Sequence, residues 1–397
     1  MDETDILISG GGVAGLTAAA AFGSAGFRVV CVDPAPPVTD AAAEGADLRT
    51  TAFLQPSIPV LRQAGLWQRL EPFAAPLQIM RIIDAGGPEP VARLTRDFDA
   101  SEISDQPFGW NLPNWLLRRE MAARLGELAN VDFRPGTATT SLLTREAGAI
   151  VGLSDGSRIS ARLVIAADGR NSPMREAAGI GLRTFRYGQK ALAFSVTHPK
   201  PHENVSTEIH RSGGPFTLVP LPDRDGKHAS AIVWMERAAE ADRLAALPVA
   251  EFEAAMNLRS CGILGDLTLA TRRSVWPMVA QLADRMAGER IALMAEAAHV
   301  VPPIGAQGLN MSLKDLTLLL DLALKTPARL GDARMLDAYH RGRHADVLTR
   351  VLGIDALNRA SMAGAPVWSD LRARTLGALY AMAPVRRVLM QAGLGVR

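Results

Sequence analysis

The chain has few cysteines, few aromatic residues and almost no net charge. Its two cysteines, Cys31 and Cys261, belong to no paired motif, so we expect a reducing compartment and no structural disulfide. A formal net charge of +2 gives no indication of a nucleic-acid partner. No uninterrupted apolar run reaches the roughly 20 residues that a membrane-spanning helix needs, so the sequence predicts none.

The chain does have the length and the balance of a large globular protein. Its 397 residues, 48% of them hydrophobic and 21% charged, predict two or more domains with ample core. The acidic start, Met1–Asp5, leads directly into an apolar strand and predicts no signal peptide. We therefore expect a cytoplasmic protein.

A glycine-rich turn near the N-terminus is the first candidate binding site. The apolar strand Asp5–Ile8 leads into Gly10, Gly12 and Gly15, which fit the pattern G-x-G-x-x-G. A helix then connects to a second apolar strand that ends at Asp33, 18 residues after Gly15. In a dinucleotide-binding unit the glycines let the backbone approach a pyrophosphate, and the acid accepts a ribose hydroxyl. The order of these elements predicts such a unit.

A second candidate turn follows the apolar strand Leu163–Ala167. Asp168-Gly169 forms an acid–glycine turn, and a helix is predicted after it, with Ser172 as its cap and Pro173 as its first residue. Asp-Gly by itself is a common turn. Its place at the end of a buried strand, with two arginines following, favours a ligand-binding role.

The third candidate is the loop within residues 295–312, the most informative stretch of the chain. An acid, Glu296, follows a short apolar strand, and two prolines fix the loop after it. Gly308 lets the backbone approach a ligand closely, and a helix is predicted to start near Leu309. Free N–H groups at a helix start bind an electron-rich oxygen. We expect a ligand loop between a strand and a helix.

Together the three segments resemble the p-hydroxybenzoate hydroxylase-like group A flavoprotein monooxygenases. Further stretches are similar to the ubiquinone-biosynthesis hydroxylases of that group: Asp47–Phe53, Pro215–Pro222 with Val233-Trp234, Tyr339–Asp346, Asp355–Arg359 and Ala383–Arg387. The resemblance implies an α/β fold with a Rossmann-like FAD-binding domain, an inserted β-sheet substrate domain and C-terminal helices. The expected ranges are 1–75, 102–182 and 275–350 for the FAD-binding domain, 76–101 and 183–274 for the substrate domain, and 351–397 for the C-terminal helical segment.

The resemblance also assigns roles to individual residues. Four are expected to be catalytic: Pro302 and Pro303 as a rigid wall beside the flavin ring, and Leu309 and Asn310 as N–H donors to the reduced ring. His299 is expected to be a structural residue at a turn rather than a base, and no metal is expected. The expected FAD-binding residues are Gly10, Gly12, Val13, Ala14, Gly15, Asp33, Arg49, Arg118, Asp168, Gly169, Glu296, Gly305, Gly308, Leu309 and Asn310; for Arg118 an ordinary surface arginine is the alternative.

The third motif departs from the family pattern, because Ala295-Glu296 replaces the usual Gly-Asp. The Glu296 carboxylate lies one methylene further out, about 1.5 Å, which is enough to re-aim a hydrogen bond to a ribityl hydroxyl. Ala295 is expected not to adopt the backbone conformations open to glycine. An accessory protein with weak or absent FAD binding is therefore an alternative.

The resemblance implies a ring hydroxylase. FAD reduced by NAD(P)H would react with O2 and deliver one oxygen atom to a hydrophobic aromatic substrate, a polyprenylated phenol of ubiquinone biosynthesis. The alternatives are another aromatic substrate, or a halogenase or reductase of the same fold, although the halogenase stretch W-x-W-x-I-P is absent. A second G-x-G-x-x-G is not evident, so the choice between NADH and NADPH stays open.

The tail from Leu371 to Arg397 is basic and amphipathic, with five arginines and no acid. One interpretation is helices that pack on the FAD-binding domain with a solvated charged face. The other is a surface that meets anionic lipid or a partner in a biosynthetic complex. The second interpretation would place the protein peripherally on the inner membrane, where a polyprenylated substrate resides.

Overall fold

The computed structural model of the protein describes residues 2–87, 89–362 and 383–394. Its strands are β1 (Asp2–Ser9), β2 (Val29–Asp33), β3 (Thr50–Leu54), β4 (Ala75–Leu77), β5 (Ile79–Asp84), β6 (Leu94–Asp99), β7 (Gly109–Pro113), β8 (Val131–Pro135), β9 (Thr139–Arg145), β10 (Gly148–Leu153), β11 (Arg158–Ala166), β12 (Leu182–His198), β13 (Val205–Ser212), β14 (Gly214–Arg224), β15 (Lys227–Arg237), β16 (Thr268–Leu269), β17 (Ser274–Ala283), β18 (Ala287–Gly288), β19 (Ile291–Leu293) and β20 (His299–Val300).

Helices connect and cover these strands. They are α1 (Val13–Ser24), α2 (Ile58–Gln63), α3 (Trp67–Leu70), α4 (Asn114–Gly126), α5 (Pro173–Ala177), α6 (Ala238–Ala246), α7 (Val249–Arg259), α8 (Gln307–Lys325), α9 (Ala333–Met362) and α10 (Ala383–Leu394). Short 3-10 turns occupy Gln55–Ser57, Glu71–Phe73, Ala100–Glu102, Ala295–Ala297 and Pro327–Arg329.

The first sheet has eight strands in the order β18-β19-β11-β1-β2-β8, with β10 and then β9 attached to β11. β1 is parallel to β11 and β2, and β11 is parallel to β19. Ser9 lies opposite Ala166, and Ala166 opposite Leu293, where the three strands end. Because the carboxyl ends of adjacent parallel strands lie at one edge of a sheet, the three predicted loops all begin at the same edge.

Two glycines allow the backbone segments at this edge of the sheet to pack in direct contact. A Cβ atom on Gly10 would lie 2.3 Å from the carbonyl oxygen of Ala167, and one on Gly15 would lie 1.8 Å from that of Gly10. Both positions therefore exclude every other residue. The glycine turn, the start of α1 and the end of β11 are in direct backbone contact as a result.

The second sheet has nine strands in the order β20-β17-β12-β15-β14-β13-β5-β6, with β16 paired to β12. One face carries Phe216 and Trp234 and is buried against Phe252 of α7. The opposite face carries Ala191 and Met235, which pack in the same core as the first sheet. This face is therefore turned toward the three loops, and alternation along the strands decides which side chains it presents.

A third, three-stranded sheet, β3-β7-β4, lies between the other two. Asn111 of β7 donates a hydrogen bond to the carbonyl oxygen of Pro220 in β14, 2.9 Å away. Asn310 of α8 donates to the carbonyl oxygen of Ala52 in β3, at 2.8 Å. The small sheet thus holds the third loop in place against the second sheet.

The predicted α/β fold is confirmed. The domain boundaries drawn from the sequence stay a prediction. The predicted boundaries assign almost all of β17 to the FAD-binding domain. In the structure, β17 pairs with β12 in the second sheet. Ala280 and Leu282 of β17 pack in the core of the first sheet, so this strand contributes to both layers.

The predicted C-terminal helical segment is described only in part. α9 continues to Met362, and Met390 and Leu394 of α10 pack with Leu54 and Phe108. Residues 363–382 and 395–397 lie outside the described residues, and with them Arg372, Arg374 and Arg397 of the basic tail. Within the ranges given above, no helix combines the length and the apolar character needed to cross a bilayer.

Candidate functional site

The glycine turn places an open helix start beside Asp33. The N–H of Gly11 donates to Oδ2 of Asp33 at 2.6 Å, and the N–H of Ala35 donates to Oδ1 at 2.9 Å. A Cβ on Gly12, which caps α1, would meet no atom of the described chain within 4 Å. The unpaired N–H groups at the start of α1 are thus accessible to an anion such as a phosphate.

The second loop holds a carboxylate with an unused oxygen. Oδ2 of Asp168 accepts hydrogen bonds from the hydroxyl of Ser9 at 3.5 Å and from the N–H of Met174 at 3.1 Å. Oδ1 is buried and has no partner within the described ranges. Burial raises the pKa of Asp168, since desolvation disfavours the charged form. A hydroxyl donated by a ligand would satisfy this oxygen.

The helix after the second loop begins as predicted. The hydroxyl of Ser172 accepts a hydrogen bond from the N–H of Arg175 at 2.9 Å, and Pro173 is the first residue of α5. Arg175, one of the two arginines noted after this turn, is buried and had been given no role of its own. Its Nη1 donates to the carbonyl oxygens of Arg170, at 3.2 Å, and Ala297, at 3.1 Å, so it ties the second loop to the third.

The backbone at Ala295 contradicts the sequence expectation. Its φ is 55°, in the left-handed region that the sequence argument reserved for glycine. The N–H of Ala295 lies 3.3 Å from Oδ2 of Asp315, and this hydrogen bond holds the turn. Left-handed backbone costs a non-glycine residue on the order of 1–2 kcal/mol. The left-handed turn at Ala295 is therefore strained, and the exposed Glu296 follows it.

His299 is built into a buried ion network. Its Nε2 lies 2.6 Å from Oδ2 of Asp315, and its side chain is almost fully buried. Arg343 of α9 donates from Nε to Oδ1 of the same carboxylate at 2.8 Å, and from Nη1 to Oδ2 of Asp346 at 2.6 Å. This geometry agrees with the expected structural role of His299.

The helix after the third loop starts two residues earlier than predicted. α8 begins at Gln307 because Ala306, with φ at 55°, turns the chain just before it. The free amides at its start are those of Gln307, Gly308 and Leu309, since the N–H of Asn310 is the first with a carbonyl four residues back. A Cβ on Gly308 would meet no described atom within 4 Å.

The structure also describes the surroundings of Asn310 and of the two prolines. The side-chain oxygen of Asn310 accepts from the N–H of Leu54 and the hydroxyl of Ser57, and its NH2 group donates to Ala52 and Ala306. All its side-chain hydrogen-bonding capacity is used by the protein. Pro302 is buried and Pro303 is exposed, so Pro302 is the firmer part of the loop wall.

Asp47, to which the sequence analysis gave no role, contacts Arg49 and Arg118, the two arginines expected to bind FAD. Arg49 forms two hydrogen bonds of 2.7 Å with its carboxylate, Nη2 of Arg118 lies 3.9 Å from Oδ2, and Asn114 donates at 3.0 Å. Burial raises the pKa of Asp47, but these hydrogen bonds and charges outweigh it, so the pKa is lowered overall. Nε of Arg118 is buried without a partner in the described chain.

Arg49 connects this cluster to the third loop and the second sheet. Its guanidinium carbon lies 5.3 Å from the ring centroid of Trp276 in β17. Hydrogen bonding to Asp47 raises the pKa of Arg49, and the negative charge of Glu296 adds to this shift. Asp47, Arg49 and Glu296 thus form one charged group at the mouth of the three loops.

Comparison with known proteins agrees with this geometry. Residues 3–352 match the family described as FAD binding domain. The chain belongs to this family. It is 34% identical over 396 residues to ubiquinone hydroxylase UbiL of Rhodospirillum rubrum, covering 98% of this chain and 89% of that protein. It is 26% identical over 364 residues to 3-demethoxyubiquinol 3-hydroxylase of Escherichia coli, covering 89% and 88% of the two chains.

Solved structures give the same architecture. PqsL of Pseudomonas aeruginosa, in complex with 2-aminobenzoylacetate, superposes with a TM-score of 0.78 at 23% identity, over 91% of this chain and 98% of that one. The p-nitrophenol 4-monooxygenase PnpA of Pseudomonas putida superposes with a TM-score of 0.79 at 18% identity, over all of both chains. At these identities the similarity establishes the fold.

The expected resemblance and the expected cofactor, FAD, are confirmed. The site has the features that FAD needs from a protein: open backbone at Gly12 and Gly308, and buried polar atoms without partners on Asp168 and Arg118 in the described chain. An anion, hydroxyl groups and a flat ring are the groups that such features bind.

Proposed function

We propose that this chain is an FAD-dependent monooxygenase that uses NAD(P)H and O2 to hydroxylate the aromatic ring of a polyprenylated phenol or quinone precursor in ubiquinone biosynthesis. The observation that carries the proposal is the meeting of the three loops at one edge of the first sheet, facing the second sheet. The similarity to two hydroxylases named for ubiquinone and demethoxyubiquinol, over most of the chain, supports the substrate class.

The FAD-binding residues follow from this arrangement. The start of α1, with Gly12, Val13 and Ala14, would bind the pyrophosphate together with Arg118, and Asp33 would accept a ribose hydroxyl. Gly10 and Gly15 act indirectly, by allowing the close backbone contacts of the turn.

The remaining residues would surround the ribityl chain and the ring. Asp168 and Glu296 would accept ribityl hydroxyls, with Gly169 (φ 85°) turning the second loop toward them. Bound FAD, reduced by NAD(P)H, would activate O2 for the transfer of one oxygen atom, and the start of α8 would supply amides for negative charge on the ring. Arg49 would balance the charge of Glu296. Gly305, with φ at 61°, lets the loop turn after the wall of Pro302 and Pro303.

The substrate would lie against the second sheet. On the face turned toward the loops, side chains are small or aliphatic: Ala193 pairs with Val233, Val233 with Thr217, and Val219 with Ala231. These central strands suit an aromatic ring with an apolar tail, because they offer apolar surface to bury.

The test begins with the absorbance spectrum of the purified protein. We expect bands near roughly 370 and 450 nm at near-equal flavin stoichiometry, with or without added FAD. NAD(P)H oxidation with polyprenylated phenols should then give one hydroxylated product per NAD(P)H, identified by mass spectrometry. Quinone precursors in a deletion strain separate this substrate class from other aromatic compounds.

A second candidate function, an accessory protein with weak FAD binding, is favoured by the strained backbone of Ala295 and by the longer glutamate side chain at position 296. A protein that remains colourless after FAD addition would establish this candidate and remove the first. A flavin-loaded protein that hydroxylates a phenol would remove the accessory role instead.

We also propose that the C-terminal part makes peripheral contact with an anionic membrane or a biosynthetic complex. In α10, Arg386 pairs with Glu102 at 2.7 Å, while Arg387 and Val388 are exposed. Co-sedimentation with phosphatidylglycerol vesicles, compared with neutral phosphatidylcholine vesicles, tests the membrane contact. Arg387→Glu should weaken binding to the anionic vesicles alone.

A further inference from the structure

A histidine–carboxylate pair lies in the middle of β13, away from the three loop motifs. Nε2 of His210 lies 2.7 Å from Oε1 of Glu208, with 14% and 23% of the two side chains exposed. Residues two apart in a strand point to the same face. The residue between them, Ile209, is buried on the opposite face with Phe216 and Leu218. The pair therefore belongs to the face turned toward the loops.

Strand register places the pair within that face. Glu208 lies opposite Thr217 of β14, and Thr217 lies opposite Val233 of β15. Val233 packs against the core shared with the first sheet. The row containing Glu208 is thus continuous with the face that would hold the substrate ring.

The next row of side chains on this face, two residues before Glu208 in β13, leads toward the third loop. Ser206 of β13 lies opposite Met80 of β5, and Met80 lies opposite Phe98 of β6. Phe98 packs with Leu54 and with Ala306, the residue that caps α8. The row next to Glu208 on the same face thus reaches the residues around the start of α8.

The hydrogen bonding of His210 leaves one nitrogen available. Nδ1 is buried and has no partner in the part of the chain that the structure describes. When Nε2 carries the proton toward Glu208, Nδ1 has a free lone pair and can accept a proton. A histidine oriented by a carboxylate in this way is the arrangement of a general base.

The charged groups around the pair come from neighbouring elements. Asp84 of β5 lies opposite His210 and pairs with Arg93 at 2.9 Å. Arg96 of β6 lies in the row of Glu208, across Ile82. On the far face, Glu236 and Arg259 are buried near the turn after β13. Glu208 is therefore the carboxylate positioned to balance a charge on His210.

We propose that the Glu208–His210 pair is the base that activates the phenol of the substrate, an inference that rests on the proposed function. The phenol O–H bond breaks and an Nδ1–H bond forms on His210, while Glu208 stabilises the resulting imidazolium. The phenolate ring is richer in electrons and would take up, as a hydroxyl group, one oxygen atom of the O2 that the bound cofactor activates. The ring carbon then loses its hydrogen as a proton to solvent, and His210 returns its own proton to the product oxygen.

The first test compares a phenol with its O-methyl ether, which has no proton to remove. In wild-type flavin-loaded enzyme we expect the phenol to be hydroxylated about 100-fold faster or more than the ether. His210→Gln should lower the phenol rate by about 100-fold, to near that of the ether, while NAD(P)H oxidation continues without product. Glu208→Gln should give an intermediate loss, because Nδ1 remains but its charge partner is gone.

A matched control exists in the same sheet. His228 pairs with Asp223 at 3.0 Å but is more exposed, at 36% of its side chain. His228→Gln should leave both rates unchanged. A His210→Gln enzyme that keeps the wild-type ratio between phenol and ether, or a His228→Gln enzyme with an equal loss, would overturn the proposal.

A binding measurement tests whether His210 deprotonates a bound phenol, independently of whether the protein hydroxylates it. The flavin-loaded protein is titrated with 4-nitrophenol at a pH where the free phenol is mostly protonated. We expect the yellow nitrophenolate band in wild type and His228→Gln, and its loss in His210→Gln. This band needs no turnover, so its absence in wild type would overturn the base even if hydroxylation occurs. Its presence without any hydroxylated phenol would retain the base and reject the proposed function.

Discussion

Oδ1 of Asp315, in α8, accepts a hydrogen bond of 2.8 Å from Nε of Arg343, in α9, and the carboxylate is completely buried. The same carboxylate contacts His299 and the N–H of Ala295 through its other oxygen. One side chain thus connects two helices to the turn that opens the third loop. The position of that loop depends on a buried charge, and the first prediction addresses it.

Asp315→Asn should destabilise the protein by about 3–5 kcal/mol, because it leaves the buried guanidinium of Arg343 without its charge partner. Urea denaturation followed by far-UV circular dichroism measures the loss. Asp321→Asn, in the same helix but exposed, is the control and should change stability by less than about 0.5 kcal/mol. Equal effects of the two substitutions would contradict the assigned role of the network.

Ala295→Gly should stabilise the protein, because glycine adopts a φ of 55° without steric cost. The expected gain is about 0.5–1 kcal/mol after the larger chain entropy of glycine is subtracted. The nearby Ala298, with φ at −99°, provides the opposite case: Ala298→Gly should destabilise. Thermal unfolding of wild type, Ala295→Gly and Ala298→Gly measures these changes. A loss of stability in Ala295→Gly would show that the turn is not strained.

Glu296→Ala should weaken FAD retention by about 10-fold to 100-fold, the value of one charge-assisted hydrogen bond. The dissociation constant is measured by flavin fluorescence on adding FAD to stripped protein. Glu251→Ala, an exposed acid in α7, should leave it unchanged. Unchanged retention in Glu296→Ala would remove Glu296 from the site.

Asp47 should make stability depend on pH. Its pKa is lowered in the folded protein, so the stabilisation is complete above its unfolded value near 3.8 and is lost as the pH falls through the lower folded value. Asp47→Asn should therefore be less stable than wild type at neutral pH, with the difference shrinking below about pH 4. Free energies of unfolding from urea titrations at pH 3 to 7 test this. A difference that stays constant with pH would contradict it.

The sequence predicts those parts of the site whose geometry is local. The glycine turn, the acid at the end of β2 and the cap at Ser172 each depend on residues that are near one another in the chain. The expectation for Ala295 failed for a physical reason. A hydrogen bond to Asp315, 20 residues away, holds a backbone conformation that local preference disfavours.

Residues whose partners are distant in the chain could not be predicted in the same way. Asp47 pairs with its near neighbour Arg49, but its contacts with Asn114 and Arg118, 67 and 71 positions away, could not be predicted from the residues around it. The spacing of Glu208 and His210 predicts that they share a face of a strand. Only the pairing of β13 with β14 and β5 determines which face it is.

The order of strands in the first sheet also bears on the synthesis of the protein. β1 precedes β2 and β11 along the chain but lies between them in the sheet, and Ile6 of β1 lies opposite Leu163 of β11. β11 in turn pairs with β19, near residue 291. β1 can pair with β2 soon after both are made, but its pairing with β11 must wait until well over a third of the chain has been translated. The third loop follows β19, so the edge of the sheet that would bind flavin is complete only late in synthesis.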